Sequence, residues 1–372
     1  MLTESTVIPY LLRCGLIQHA AIVDGDVMVV NASRRNRNFQ VISRYGPSFF
    51  LKQGLRQDDI VSPSREAQVY RAFENLSNFE ALHAHLPRMH AFDPDEDLLI
   101  VELLAHTENL REYHRRTGRF STSLAASLGD VLGILHGSSD RSLQSLTGLV
   151  APEPAAFYLY RPGLALLRDF SHACIDLIQM IQHSPEVCRF LDEVRQDWRA
   201  EAPIHHDVRW DNILVAAGSS QKGARSGKRQ ITLVDWESSG LGDPCWDVGT
   251  VFGDYLSFWL SSVPVAGNGP PDRYLSLARY PLEKIQPAIR AFWHAYIRRL
   301  KLTPEKAEEW LVRSSKYAAL KLIQTGLEQV QRASQWTLTS VCHLQLGMNV
   351  SQRPREGSVA LMGLSHLVGG TR

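Results

Sequence analysis

Two short apolar segments, each next to acidic and amide residues, constrain the fold of this chain more than any other feature. The first, residues 213–215, follows the polar run His-His-Asp-Val-Arg-Trp-Asp-Asn at 205–212. The second, residues 232–234, ends in Asp235. Short apolar runs bounded by turn residues are typical of buried strands, so we expect the two segments to form a hairpin. The Gly- and Ser-rich residues 216–230 between them predict a surface loop.

The polar residues beside these segments suit phosphoryl transfer. Asp207 and Asn212, five positions apart on a tight loop, can accept a proton from an attacking hydroxyl and hold magnesium on a nucleotide phosphate. Asp235 would supply another magnesium ligand. A simpler interpretation is that Asp207 and Asn212 only cap a turn. That interpretation leaves the second acid unexplained, so we predict a phosphotransfer site.

Composition argues against several other classes of protein. The net charge of +1 argues against nucleic-acid binding, which depends on neutralising phosphates. Five cysteines without a C-x-x-C pair favour reduced thiols over disulfides or a zinc site. The N-terminus lacks the basic flank and long apolar run of a signal peptide, and the most apolar stretch, residues 163–181, contains charges. We therefore expect a cytoplasmic protein without a membrane partner; its oligomeric state is not predicted.

A lysine and a glutamate in the first hundred residues extend the predicted site. Lys52 ends the apolar strand Phe-Leu-Lys, and Glu66 lies on the helix predicted over 63–76. An ammonium at the end of such a strand can bind nucleotide phosphates when a helix carboxylate holds it in place. Lysines often end strands for solubility alone. The order of Lys52, Glu66 and the 205–212 run favours the functional interpretation.

The order of these elements resembles the aminoglycoside phosphotransferase and choline kinase superfamily, which has a protein-kinase-like fold. The similarity covers roughly residues 20–335 and is most specific over 204–247, where Asp-Trp-Glu and Gly-Asp-Pro-x-x-Asp follow the His-x-Asp-x-x-x-x-Asn run. It implies an α+β fold of two lobes. Residues 1–103 would form a small antiparallel sheet with one main helix and a linking strand near 98–104, and residues 104–372 a larger, mostly helical lobe.

The resemblance also implies roles for individual residues. Asp207 corresponds to the catalytic base, and Asn212 and Asp235 correspond to the magnesium ligands. His205 and Asp247 correspond to residues that support the catalytic loop. The implied reaction transfers the γ-phosphoryl group of ATP, or alternatively of GTP, to a hydroxyl in the presence of Mg²⁺.

Nucleotide contacts are expected from three further residues. Glu102 and Leu104 lie where the adenine hinge should be, and their backbone would make that contact. The loop at 32–38 has no glycine, and Ser33 is expected to let backbone N–H groups face a phosphate there. The arginines of this loop either add charge to the site or form an ordinary solvated turn. For Glu237, which either reaches a metal or faces solvent, the solvent-facing interpretation is favoured.

The acceptor is less constrained. From residue 256 to the C-terminus, 15 Lys or Arg stand against 7 Asp or Glu, which argues against a polycationic acceptor and favours a neutral or anionic one, or a peptide. His206, Arg209, Trp210 and Asp211 depart from the family pattern, which has Gly at the position of His206, and are the candidates for acceptor choice.

Three functions remain open at this stage. The first is transfer to a small-molecule hydroxyl. The second is Ser/Thr phosphorylation of a precursor peptide in natural-product biosynthesis. The third is a nucleotide-binding pseudokinase or scaffold, which the missing glycine loop favours and the intact set of charged residues opposes.

Overall fold

The computed structural model of this protein describes residues 1–33, 36–54, 62–137, 148–168, 170–216, 231–264, 275–331, 333 and 335–365. Its strands are β1 Val27–Asn31, β2 Arg37–Ser43, β3 Phe49–Gln53, β4 Met89–Asp93, β5 Leu98–Glu102, β6 Thr107–Asn109, β7 Ala202–Ile204, β8 Ile213–Ala216, β9 Ile231–Leu233 and β10 Gly240–Gly242. Its helices are α1 Glu4–Arg13, α2 His19–Val23, α3 Pro63–Asn75, α4 Glu80–His83, α5 Leu110–Thr117, α6 Thr122–His136, α7 Leu164–Leu167, α8 His172–Gln182, α9 Pro185–Gln196, α10 Pro244–Leu260, α11 Leu282–Leu300, α12 Pro304–Val330, α13 Leu338–Gln352 and α14 Pro354–Ala360.

The predicted α+β fold is confirmed. An antiparallel sheet in the order β1-β2-β3-β5-β4 forms the N-terminal part, and most of the remaining described chain is helical. Apolar runs at 27–30, 39–42 and 49–52, separated by turn-rich segments, predict the antiparallel meander of β1, β2 and β3, whereas no such pattern predicts β4. Each residue of β4 is only half-buried and the strand carries a register shift between Met89 and Ala91, so it lacks the alternation that identifies a strand in sequence.

The two faces of this sheet have different neighbours. Side chains alternate along β3, so Phe49 and Leu51 pack on one face with residues of α1, and Lys52 points to the other. On that other face α3 packs against β5, and the buried side chains of α3 belong to the same hydrophobic core as the helical part. Phe73 of α3 and Trp236 join the two parts through a perpendicular ring contact at 5.1 Å. The boundary between residues 103 and 104 stays a prediction, because this core crosses it.

Three further expectations from the sequence concern a loop, the cysteines and membrane spans. The loop predicted at 216–230 lies, apart from Ala216, outside the described residues, as do Arg34 and Arg35. The five cysteines are unpaired. Among the helices of the described ranges, none has both the length and the apolarity that a membrane crossing requires.

Candidate active site

The predicted hairpin brings the two polar segments together. β8 and β9 pair antiparallel with Ile213 opposite Leu233, and the N–H of Val234 donates to the carbonyl of Asn212 at 3.0 Å. This pairing places Asn212 and Asp235 at the same end of the hairpin. Residues far apart in sequence thus become neighbours through a strand register that the apolar runs determine.

Asp207 is held on both carboxylate oxygens. The side-chain amide of Asn212 donates to Oδ2 of Asp207 at 3.0 Å and to its backbone carbonyl at 2.8 Å. Nε of Arg209 lies 3.0 Å from Oδ1 of Asp207. Burial raises the pKa of the Asp207 carboxyl, but Arg209 and Lys321 outweigh burial and hold this pKa below its usual range. Asp207 is therefore an ionised, oriented carboxylate.

A buried carboxylate braces the loop that carries Asp207. Asp247, in the first turn of α10, accepts hydrogen bonds from the backbone N–H of His205 at 2.7 Å and of His206 at 2.9 Å. Nε2 of His136 lies 3.2 Å from the same carboxylate, and Nε2 of His205 lies 3.0 Å from the carbonyl of Val234. These contacts hold the backbone of the loop in place, and the supporting roles of His205 and Asp247 in catalysis stay a prediction.

His206 has a backbone conformation that favours glycine. Its φ is 70°, in the left-handed region, which explains why a glycine is usual at this position of the family pattern. The strain is compensated on both sides of the residue, because Asp247 accepts its N–H and Nε1 of Trp246 donates to its carbonyl at 2.8 Å. Asp235 also has a positive φ of 71°.

Lys52 lies between two carboxylates from different parts of the chain. Its Nζ is 2.6 Å from Oε2 of Glu66 and forms a second ion pair with Asp235. The other oxygen of Glu66 accepts the backbone N–H of Trp236 at 3.2 Å, so α3 is tied to the segment after β9. Burial opposes the charge of Lys52, but Glu66, Asp235 and Glu237 outweigh it and raise the pKa of this ammonium. Lys52 is therefore permanently charged.

Glu237 belongs to the same cluster, so the expectation that it faces solvent is wrong. Carboxylate oxygens of Glu66, Asp235 and Glu237 lie within 4.8 Å of one another, close enough to hold one ion. Both oxygens of Glu66 are engaged, one by Lys52 and one by the N–H of Trp236, so the oxygens left for a cation are those of Asp235, Glu237 and Asn212. Oδ1 of Asn212 accepts no hydrogen bond from the described residues. A set of oxygen donors is what Mg²⁺ prefers, so the residues present fit that ion.

A cavity of about 790 Å³, which we call the hinge cavity, extends from this cluster along residues 101–109, where the adenine hinge is expected. It is lined by Glu66, Asn212, Asp235 and residues 101–109. The N–H groups of Glu102 and Leu103 are engaged by the carbonyls of Arg88 and Ser48, respectively. The N–H of Leu104 donates to no other described residue and is available to a ligand in the cavity.

Ser33 is not brought into this cavity. It is exposed, and its hydroxyl closes the turn between β1 and β2 by accepting the N–H of Asn38 at 3.1 Å. From the same turn, Asn38 lines the hinge cavity and Asn36 donates to Glu237 at 3.3 Å. Polar side chains of this turn therefore reach the site, but they are two asparagines that sequence reasoning did not single out.

A second cavity of about 450 Å³ opens on the other side of the same cluster. The two cavities share Asn38, Lys52 and Asp235. The second cavity is additionally lined by His206, Asp207, Arg209, Trp246 and Lys321, among other residues. The Asp207 carboxylate therefore faces this second cavity, which we call the acceptor-side cavity.

Two of the four candidates for acceptor choice do not face the acceptor-side cavity. Trp210 is fully buried and packs against His114 and Tyr255 at ring-centroid distances of 4.6 and 4.7 Å. Asp211 forms an ion pair with Arg111 at 3.0 Å near the surface. Their involvement in acceptor choice has no support in the structure, because neither lines the acceptor-side cavity and Asp211 lines the hinge cavity instead. Of the four, His206 and Arg209 line the cavity.

The chain is similar to known phosphotransferases. A sequence profile of the phosphotransferase enzyme family matches residues 26–305. No protein with a curated description matches. Among solved structures, LicA in complex with AMP has a TM-score of 0.50 at 11% identity, covering 94% of this chain and 98% of that chain. A choline/ethanolamine kinase family protein from Mesorhizobium loti has a TM-score of 0.48 at 15% identity, covering 91% and 93%. At identities this low, the similarity to these structures concerns the fold alone.

Proposed function

Because the chain belongs to the phosphotransferase enzyme family, we propose that it transfers the γ-phosphoryl group of ATP to a hydroxyl group of a small molecule. The observation that carries this proposal is the position of Asp207 and the Lys52–Asp235 pair at the junction of two cavities. The nucleotide would occupy the hinge cavity with its phosphates at the junction. The acceptor would enter from the other side and meet Asp207.

The proposed step needs few groups. The acceptor oxygen attacks the γ-phosphorus and forms a new O–P bond, while the bond from this phosphorus to the oxygen bridging to the β-phosphate breaks and ADP leaves. The hydroxyl proton passes to Asp207, which is ionised and oriented by Asn212 and Arg209. Lys52 binds the phosphates of the nucleotide, and the N–H of Leu104, beside Glu102, contacts the adenine. Such catalysis depends mostly on positioning and charge.

A divalent cation fits between the nucleotide phosphates and the protein. Asn212, Asp235 and Glu237 would hold Mg²⁺, with Glu237 an addition to the pair that the sequence indicates. Bound there, the ion would neutralise charge on the phosphates.

The alternatives have less support. The scaffold alternative requires no catalytic group, yet Lys52, Glu66, Asp207, Asn212 and Asp235 meet in one cleft. The peptide alternative requires room for an extended backbone, whereas the acceptor-side cavity of about 450 Å³ suits a small molecule.

The decisive experiment offers ATP and Mg²⁺ with a panel of small alcohols and with Ser- or Thr-containing peptides. Phosphate esters are detected by mass spectrometry and ADP by a coupled assay. We expect a small-molecule phosphate monoester and ADP in equal amounts. Phosphopeptides alone would favour the second alternative, and magnesium-dependent nucleotide binding without transfer to any acceptor would favour the scaffold.

A further inference from the structure

The acceptor-side cavity contains a cation that the proposed phosphoryl transfer does not use. Lys321 of α12 lines this cavity, and its Nζ lies 5.2 Å from the centre of the Trp246 ring. Lys321 does not line the hinge cavity, whereas Lys52 and Asp235 line both. Its charge is therefore on the side of Asp207 where the acceptor enters, and Lys52 is the lysine placed for the nucleotide phosphates.

Among the described residues, Lys321 lacks the direct ion pair that the neighbouring cations have. Lys52 is paired with Glu66 and Asp235, and Arg209 lies 3.0 Å from Asp207 and 3.9 Å from Glu328. In the described chain, no carboxylate lies within ion-pairing distance of Nζ of Lys321, and no hydrogen bond engages this atom. Lys316, on the same helix, is by contrast paired with Asp197 at 3.2 Å.

An ammonium without a partner in a partly buried site is costly. Burial lowers the pKa of Lys321, and the carboxylates of Asp207 and Glu328 offset this only in part. A bound anion would remove the cost by supplying the missing opposite charge. The energetics of this lysine therefore favour a negatively charged group in the acceptor-side cavity.

Other polar groups of the same lining also lack partners. Nε2 of His206 and Oε1 of Gln324 are buried without a hydrogen bond to the described residues. Burial lowers the pKa of His206 to about 4, so its imidazole is neutral at pH 7 and adds no second charge. Among the described residues that line it, the cavity thus offers one cation without an ion pair, uncharged hydrogen-bonding groups and the indole of Trp246.

We propose that the acceptor is an anionic hydroxy compound, carrying a carboxylate or a phosphate, and that Lys321 binds its anionic group while Asp207 receives the hydroxyl. This inference rests on the proposed function and specifies its substrate class. The charge of the cavity supports this choice. Its acids are engaged by Lys52, Arg209, Asn212, Asn36 or the expected Mg²⁺, whereas Lys321 forms no ion pair with a described residue.

Acceptors that share a carbon skeleton but carry an anionic, neutral or cationic terminal group test this inference. One set is glycerate, glycerol and 3-amino-1,2-propanediol, and a larger set is gluconate, sorbitol and glucamine. Glycerol 3-phosphate, compared with glycerate, distinguishes a phosphate from a carboxylate. Each compound is measured as an acceptor with ATP and Mg²⁺, and as a ligand of the ADP·Mg²⁺-saturated enzyme by calorimetry. We expect the anionic member of a set to bind and react at least about tenfold better than its neutral and cationic counterparts.

Variants on one helix separate a binding role from a structural role. Lys321→Met should raise KM for the anionic acceptor at least about tenfold while leaving KM for ATP nearly unchanged. Lys316→Met removes a charge from the same helix outside the cavity and should change neither constant. If Lys321→Met fails to fold, the relative affinities and rates of the anionic, neutral and cationic acceptors with the unmodified enzyme still test the inference.

The outcomes separate the inference from the proposed function. Preference for the neutral or cationic members, or an unchanged KM in Lys321→Met, would overturn the anionic acceptor. It would also be overturned if nucleotide binds with Mg²⁺ but no anionic probe binds or reacts. Absence of magnesium-dependent nucleotide binding would instead overturn the proposed function itself.

Discussion

The side-chain amide of Asn212 donates a hydrogen bond to the carboxylate of Asp207 across 3.0 Å. The proposed base and a proposed metal ligand are therefore one unit. Because the amide nitrogen is turned toward Asp207, the amide oxygen is turned away from it and remains available to a cation. A change at either residue is expected to disturb the other, and the chemistry of the site can be tested residue by residue.

Asp207→Asn should reduce kcat by about 10²–10⁴, the range usual for a positioned acid–base group. Nucleotide affinity should stay nearly unchanged, since Asp207 does not line the hinge cavity. Steady-state kinetics and calorimetry with an ATP analogue measure the two effects. Asp197→Asn, which lies outside both cavities and is paired with Lys316 at 3.2 Å near the surface, is the control and should retain activity. Near-normal turnover in Asp207→Asn would remove Asp207 from the mechanism.

Asp235→Ala should weaken nucleotide binding only when magnesium is present. The carboxylate is expected to ligate the ion, so Kd for ATP with Mg²⁺ should rise at least about tenfold, or about 1.4 kcal/mol. In EDTA, the variant and the unmodified enzyme should bind ATP with similar affinity. Calorimetry under both conditions provides the comparison. An equal loss of affinity in EDTA would mean that Asp235 acts through Lys52 and not through a metal.

Lys52→Met should destabilise the fold as well as reduce activity. It leaves the carboxylates of Glu66 and Asp235 close together without their shared cation, and removing one member of a buried ion pair costs about 3 kcal/mol or more. We expect Lys52→Met/Glu66→Gln to be less destabilised than Lys52→Met alone, because the second change removes the uncompensated charge. Urea unfolding gives the free energies of unfolding. Strict additivity of the two changes would contradict this account.

Buried histidines should make stability depend on pH. Burial lowers the pKa of His114 to about 4 among the rings of Trp210, Tyr255 and Phe258, and its Nδ1 lies 2.7 Å from the carbonyl of Arg119. An unfolded histidine has a pKa of about 6.5, so on acidification the unfolded chain takes up the proton first. The free energy of unfolding should therefore fall between about pH 6.5 and pH 4, by about 1.4 kcal/mol per pH unit for this residue.

The variant His114→Phe should reduce that slope. His206 and His343, whose pKa values are also lowered by burial, keep part of the dependence. His294→Gln, on the exposed side of α11, should leave the slope unchanged. Urea unfolding at several pH values measures each slope, and identical slopes in His114→Phe and the unmodified protein would show that His114 is not the titrating group.

Local patterns predicted much of the fold and the proposed catalytic core. Strands β1, β2, β3 and β5 and helix α3 follow from periodicity and turn residues that act within a few positions. The half-buried edge strand β4 was missed because it lacks alternation. Asp207 and Asn212 were found because their spacing lies within one loop. Glu237 was misjudged because its position depends on Asn36, two hundred residues earlier in the chain.

The sequence by itself determined the class of reaction, since the Asp207–Asn212 spacing, the acid after β9 and Lys52 at a strand end are local features that together indicate phosphoryl transfer. Only the tertiary structure decided what surrounds the acceptor. Trp210 and Asp211 stand beside Asp207 in sequence but do not line the acceptor-side cavity, whereas Trp246 and Lys321 reach it from α10 and α12. The physical reason is that helix packing brings these side chains together, and an amphipathic pattern does not reveal which partly buried lysine meets a cleft.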